Sequence, residues 1–233
     1  MMPDDLLDKI KASGFMRVVI RPAETPESLT VIAAREMVEK ASVSLRGWDY
    51  PHVTSRNDEH GGTDYSGEYV QDWCDWYRHV EFWRMYKSGQ FLHYKALRED
   101  LSKEGNVPDE PVLAVGSFMF TVTEIIEFAH RLRVAGLYKD GATIQVSLGN
   151  VRGRRLWVED PRRLDFMQPM VTSAETLKFE KSYTASELFL GDPKDISLPI
   201  IATFLEAFGW TPSPSLISST QEELYNLKLG RDR

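Results

Sequence analysis

The chain has a single cysteine, Cys74, among 233 residues, so no internal disulfide can form and no zinc site can be built from thiolates. That usage fits a reducing compartment, and a cytoplasmic protein is expected. Long apolar runs are lacking too. The uncharged stretch 111–123 is too short to cross a bilayer, so no membrane partner is expected. The start, Met1-Met2-Pro3-Asp4-Asp5, is acidic where a signal peptide is basic, and no apolar core follows it. No period of 20–50 residues recurs, and low-complexity tracts are absent. Ordered catalytic signatures are missing as well: there is no G-x-S-x-G, Walker loop, H-E-x-x-H or paired C-x-x-C, and no catalytic residue is assigned.

What the chain does contain is ordinary in total and uneven in distribution. Its hydrophobic content of 42% and charged content of 27% are those of a globular protein able to bury a core. Residues 46–100 hold four of the six tryptophans (Trp48, Trp73, Trp76, Trp83), four of the five histidines (His52, His60, His79, His93) and the cysteine. Such a cluster is either a dense core or a recognition surface. The net charge is −7, yet residues 130–163 carry seven arginines and a net +5, leaving −12 for the remainder. An acidic protein with one basic segment can hold an anion locally while repelling bulk nucleic acid.

Helices are expected where caps and periodicity agree. Thr25, Pro26 and Glu27 would open one with Leu29, Ile32, Ala33 and Met37 inward. The capping-box pattern Thr121-Val-Thr-Glu124 would open a second, residues 197–208 form a third, and Thr220-Gln-Glu-Glu223 would open a last one. A short helix is expected at residues 6–10. Alternation predicts strands at 16–20, 43–48 and 177–183, and an antiparallel hairpin joining 142–148 to 156–158 through the turn 150–153 with one wet face. Ser88-Gly89 reads as a second hairpin turn. Residues 68–80 fit both periods, and their β-favouring rings tip the reading to strand. Helices and strands in irregular order give an α+β fold: a mixed or mainly antiparallel sheet with packed amphipathic helices. One domain is expected over 1–210, with a helical extension over 211–233.

Four groups of residues could carry function. Arg152, Arg154, Arg155, Arg162 and Arg163 cluster about a hairpin tip, where guanidinium groups can fork onto phosphate or carboxylate, although pairing with Glu159, Asp160 and Asp165 would also explain them. Trp48, Trp73, Trp76 and Trp83 could face a partner, but the acidic residues among them disfavour base stacking. His52, Asp58, Glu59, His60 and Asp64 are metal-ligand types in a glycine-rich loop, with His52, Asp58 and His60 foremost, yet a solvated polar loop is the simpler reading. Cys74 with His79 or His93 could form a nucleophile pair, against the simpler reading of a buried structural thiol.

Three stretches resemble pieces of an uncharacterised bacterial domain of unknown function: Arg-Gly-Trp-Asp-Tyr-Pro at 46–51, Ser-Gly-Gln-Phe-Leu-His at 88–93 with the tail 95–100, and Thr-Glu-Ile-Ile-Glu-Phe-Ala at 123–129. The resemblance spans about residues 16–160. Some proteins join that domain to a nucleotide-binding module of the Schlafen and AlbA type, which this chain does not contain. The resemblance therefore implies a bacterial cytosolic accessory domain working beside an NTPase. Taken together, the expected function is a non-enzymatic interaction module with a protein partner. The alternatives are a nucleic-acid or nucleotide binder using the arginine hairpin, and a metal-dependent hydrolase using the His52 to His60 loop.

Overall fold

The computed structural model describes residues 1–26, 29–101 and 107–229. Along the chain, α1 (Leu6–Ala12), β1 (Phe15–Pro22) and α2 (Val31–Ala41) are followed by four consecutive strands: β2 (Gly61–Tyr65), β3 (Tyr69–Trp76), β4 (His79–Tyr86) and β5 (Phe91–Ala96). Next come α3 (Arg98–Leu101), β6 (Val112–Ala114), α4 (Val115–Val134), β7 (Ala142–Gly149), β8 (Arg155–Trp157) and β9 (Thr176–Tyr183). Three helices close the chain: α5 (Ala185–Leu190), α6 (Pro193–Glu206) and α7 (Pro214–Leu229). The main sheet has seven antiparallel strands in the order β2-β3-β4-β5-β1-β7-β9, which makes the fold α+β.

Strand parity divides the sheet into two environments. Phe91, His93 and Lys95 on β5 stand opposite Met85, Trp83 and Glu81 on β4 and opposite Ile20, Val18 and Met16 on β1. This row faces the main core, which α2, α4 and the C-terminal helices complete. The reverse face carries Trp73, Val80, Phe82 and Ala96, closed by Leu6 and Ile10 of α1. Residues 68–80 are thus strand, broken by a turn in which Tyr77 adopts φ 54°. The hairpin at Ser88-Gly89 also forms, with Gly89 at φ 76° supplying a backbone conformation that other residues adopt only with strain.

Several helix starts differ from the sequence expectation, two through neighbouring caps and one through a distant residue. The first long helix opens at Thr30, whose hydroxyl accepts from Ala33 N at 3.1 Å, so Thr25 and Pro26 precede it; Glu27 lies outside the described residues. Its inward stripe is Ala34, Val38 and Ala41, and Ile32 faces solvent. The α4 helix starts six residues before Thr121 because Glu159, distant in sequence, accepts from Gly116 N at 3.1 Å and Ser117 N at 2.6 Å. A carboxylate there satisfies free N–H groups and complements the helix dipole. Likewise α6 begins at Pro193 behind an Asp192 cap, and Thr220 lies inside α7.

Two strand expectations are corrected. Residues 43–48 form a loop, closed only by the antiparallel bridge between Val43 and Tyr50. The turn at 150–153 exists, but β8 leaves the sheet and pairs in parallel with β6, while β7 lies between β1 and β9. Flanked by strands on both sides, β7 buries Gln145 and Ser147 as well as its apolar side, so the expected wet face is absent. Near the C-terminus, α7 shares the main core through Ile217 and Leu224.

Burial sorts the aromatic cluster and the arginines. Trp73 and Trp83 are 3% and 1% exposed, so they are core rings and offer a partner no surface; Trp76 is 40% exposed. Arg154 does not reach outward from the turn. Its side chain is buried, donating to both carboxylate oxygens of Asp100 and to Val112 O, and Asp100 also accepts from Gly14 N. Removing one member of such a buried pair leaves the other uncompensated. We therefore expect Trp83→Ala and Arg154→Ala each to lower unfolding free energy by about 3–5 kcal/mol in urea titrations. Arg162→Ala, at a side chain 86% exposed, should leave it essentially unchanged, because solvent screens the pair. Equal effects at Arg154 and Arg162 would contradict the structural role given to Arg154.

Candidate functional site

A hydrogen-bonded polar group interrupts the apolar face of the sheet. On β4 and β5, Glu81, His93 and Lys95 occupy inward register positions whose neighbours are Trp83, Met85 and Phe91. Glu81 and His93 are almost fully buried and bond directly, His93 Nε2 lying 2.8 Å from Glu81 Oε2. The other Glu81 oxygen accepts from Trp48 Nε1 at 2.7 Å, and His93 Nδ1 lies 3.3 Å from the Tyr50 hydroxyl. Burial opposes charge on Glu81, but Lys95 beside it and the His93 hydrogen bond outweigh that penalty and hold the carboxyl below its usual range. Burial also lowers His93, keeping the ring neutral. With Glu81 ionised, His93 Nε2 carries the proton and Nδ1 accepts from Tyr50, whose own proton burial retains. Tyr50, His93 and Glu81 thus form one chain of hydrogen bonds.

This group forms the inner wall of a cleft of about 320 Å³, at the small end of the range for small-molecule sites. The 44–49 loop supplies one lip, the start of α3 another, and the first turns of α4 the far wall. Arg46 spans the cleft to α4, donating through Nε and Nη2 to both oxygens of Glu124 at 2.9 and 2.7 Å and to Thr121 at 2.6 Å. This explains why Thr121 and Glu124 do not cap a helix: they are mid-helix partners of Arg46. Trp48 stands between two imidazoles, His52 at 3.8 Å and His79 at 3.6 Å between ring centroids. Burial keeps both rings neutral and lowers His79 to about 3.

Cations dominate the unpaired groups of the cleft. Among the described residues, the side chains of Lys95 and Arg98 make no hydrogen bond or ion pair, and neither does Arg78 in an adjoining recess that shares Arg98, Glu99 and Ser117 with the cleft. Arg78 Nε is buried without a partner. Burial lowers Arg98, and the nearby Arg78 and Arg46 lower it further. For Lys95, burial is again the main cause of a lowered pKa; Glu81 opposes it, while Arg46 and Arg98 add to it. Opposing carboxylates are engaged elsewhere, Glu124 by Arg46 and Glu99 by Ala114 N at 2.8 Å, and burial pushes Glu99 up towards its neutral form. Asp49 sits half-buried at the rim.

The residues singled out in the sequence are distributed differently. Each arginine of the 152–163 group is paired with a carboxylate: Arg152 with Glu175, Arg154 with Asp100, Arg155 with Glu110 and Asp165, Arg162 with Asp160, and Arg163 with Asp160 and Glu223. The metal-ligand types do not converge. His52 stacks on Trp48; Asp58 binds Arg56 and His60 N; His60 packs on Trp76; and Asp64 accepts from Met2 N and Gln71. Among the described residues, no three His, Cys, Asp or Glu side chains are grouped to hold a metal. Cys74 is buried, and burial pushes its thiol up to about 12, away from nucleophilic use. Conversely, the stretches at 46–51, 88–93 with its tail, and 123–129 all meet at the cleft, through Arg46, Trp48 and Tyr50, through His93 and Lys95, and through Glu124. The sequence reading passed over Lys95, Arg98, Arg46 and Tyr50. One signal was available: in Phe-Leu-His-Tyr-Lys-Ala at 91–96, His93 and Lys95 share parity with the apolar Phe91.

These environments give a pH dependence of definite sign. His52, His79 and His93 all have folded pKa values below 6.5, so the unfolded chain takes up protons first and their contribution to stability is lost on acidification. For His79 the window runs from about 6.5 down to about 3. Urea midpoints should therefore fall as pH drops through that window, and less steeply in His79→Phe, which keeps a ring against Trp48. An unchanged slope in the variant would show that His79 is not held neutral.

No family model, curated protein or solved structure matches the chain, so the cleft is read from its own geometry.

Proposed function

We propose that the protein binds a small organic anion, a carboxylate or phosphate ester, in the cleft between the 44–49 loop, β5, α3 and α4. The observation that carries this reading is the convergence of Lys95, Arg98 and Arg78, none of which makes an ion pair or side-chain hydrogen bond among the described residues. Like charges held close together and partly out of water repel one another, and an anion placed between them removes that repulsion. Arg98 and Arg78 bring guanidinium forks suited to planar oxyanions, and Lys95 adds a point charge at the base. Arg46 and Glu124 neutralise each other and brace the wall on which the ligand rests.

An interaction module using the rings of 46–97 has less support, because Trp73 and Trp83 are core and both faces of Trp48 are covered. Binding of nucleic acid through the arginine segment has less support as well, since every one of its guanidinium groups is already neutralised within the chain.

The test is thermal unfolding with inorganic phosphate, citrate and pyruvate, followed by calorimetric titration of whichever anion stabilises. At about 100 times its dissociation constant a ligand adds about 2.7 kcal/mol, roughly 5–10 °C for a chain of this size. Losing a charged hydrogen bond at Arg98→Gln should weaken binding roughly tenfold or more. Arg152→Ala, remote from the cleft, should leave it unchanged. Absence of stabilisation by all three anions, or equal binding by Arg98→Gln, would overturn the proposal.

A further inference from the structure

One of the cations of the cleft can do more than hold an anion, because it is a primary amine partly removed from water. Among the described residues, Lys95 is the only lysine lining the cleft. It is half-buried, and no described side chain accepts a hydrogen bond from its ammonium. Two arginines flank it, Arg46 across the cleft and Arg98 at the start of α3. Neighbouring cations and desolvation both disfavour the ammonium, which is how a lysine becomes a nucleophile near neutral pH. Glu81 opposes this from the adjacent strand, but its carboxylate is already bonded to Trp48 and His93. Tyr50 lines the same cleft, its hydroxyl held by His93, which is in turn held by Glu81.

We propose that Lys95 is a nucleophilic amine that condenses with the carbonyl carbon of a small 2-oxo acid, a reading that rests on anion binding in the cleft. The ligand's carboxylate lies on Arg98 and Arg78, leaving its carbonyl towards β5. The Lys95 nitrogen forms a bond to the carbonyl carbon while one of its own protons passes to the carbonyl oxygen, giving a carbinolamine. The carbinolamine then expels its hydroxyl as water, using the second proton of the nitrogen. The sum is amine plus carbonyl to imine plus water, and no oxidant or reductant is consumed. The imine nitrogen becomes the electron sink for bond breaking or proton removal at the adjacent carbon, the chemistry for which enzymes use lysine in this way.

The experiment is trapping of the full chain with pyruvate and sodium cyanoborohydride at neutral pH, followed by intact-mass analysis and peptide mapping. Hydride delivered to the imine carbon fixes the adduct as a secondary amine. Lys95 should be labelled at least about tenfold faster than the exposed Lys87 and Lys139, because only Lys95 combines partial burial with flanking arginines. Phosphate should compete with the labelling, and Lys95→Arg, which keeps the cation but removes the nucleophile, should abolish the adduct. Uniform labelling of exposed lysines, or selective labelling that survives Lys95→Arg, would overturn the proposal. Mapping of the unaltered protein decides the question even where the variant folds poorly. Stabilisation by phosphate or pyruvate without adduct at Lys95 removes this inference and leaves anion binding standing, whereas absence of both removes the two together.

Discussion

A carboxylate on the covered face of a sheet has to find donors, and the arrangement around Glu81 follows from that constraint. Burying an unpaired ionised carboxylate is prohibitively costly. Glu81 meets the demand with the indole N–H of Trp48, the imidazole of His93 and the charge of Lys95 on the neighbouring strand. To bring Trp48 there, the chain after α2 folds back on itself and closes between Val43 and Tyr50. That loop carries Arg46 to Glu124 on α4 and Tyr50 to His93. One buried charge thus ties the loop, the sheet and the longest helix into a single hydrogen-bonded unit.

The same principle separates structural charge from available charge elsewhere in the chain. Arg154 is nearly inaccessible, and its bidentate contact with Asp100 joins the turn after β7 to α3, β6 and the start of β1. Arg155, Arg162 and Arg163 are paired with carboxylates at the surface, where solvent screens the interaction. Lys95, Arg98 and Arg78 are the reverse case. They lie where water is restricted and make no ion pair or hydrogen bond among the described residues, and nearby Glu81 offsets only part of the burial of Lys95 and Arg98. Local charge density pointed to residues 130–163, whereas unmet charge lies on β5, α3 and the β3–β4 turn.

The fold was largely legible, and the site only in outline. The strands at 142–149 and 176–183, the hairpin turn at Ser88-Gly89 and the strand character of 68–80 follow from alternation and turn chemistry. Helix α4 was placed but opened too late, since its cap comes from Glu159 and no short-range pattern encodes that. The returning strand after 150–153 was assigned to the wrong neighbour, because the outcome depends on Arg154 turning inward to Asp100. In the aromatic region, composition was correct about density and silent about direction: Trp83 packs inward while Trp76 reaches solvent.

The sequence by itself determined the local periods: which segments alternate, which repeat at helical spacing, where glycine and asparagine permit a turn, and that a single thiol forbids a disulfide. From those periods and their irregular order an α+β fold with a mainly antiparallel sheet follows. Tertiary structure alone decided which charges meet. Glu81, His93 and Lys95 become a group through strand register, and Arg46 reaches Glu124 across 78 positions of sequence. Pairing energies of this kind depend on distance and burial in three dimensions, and neither quantity is carried by spacing along the chain.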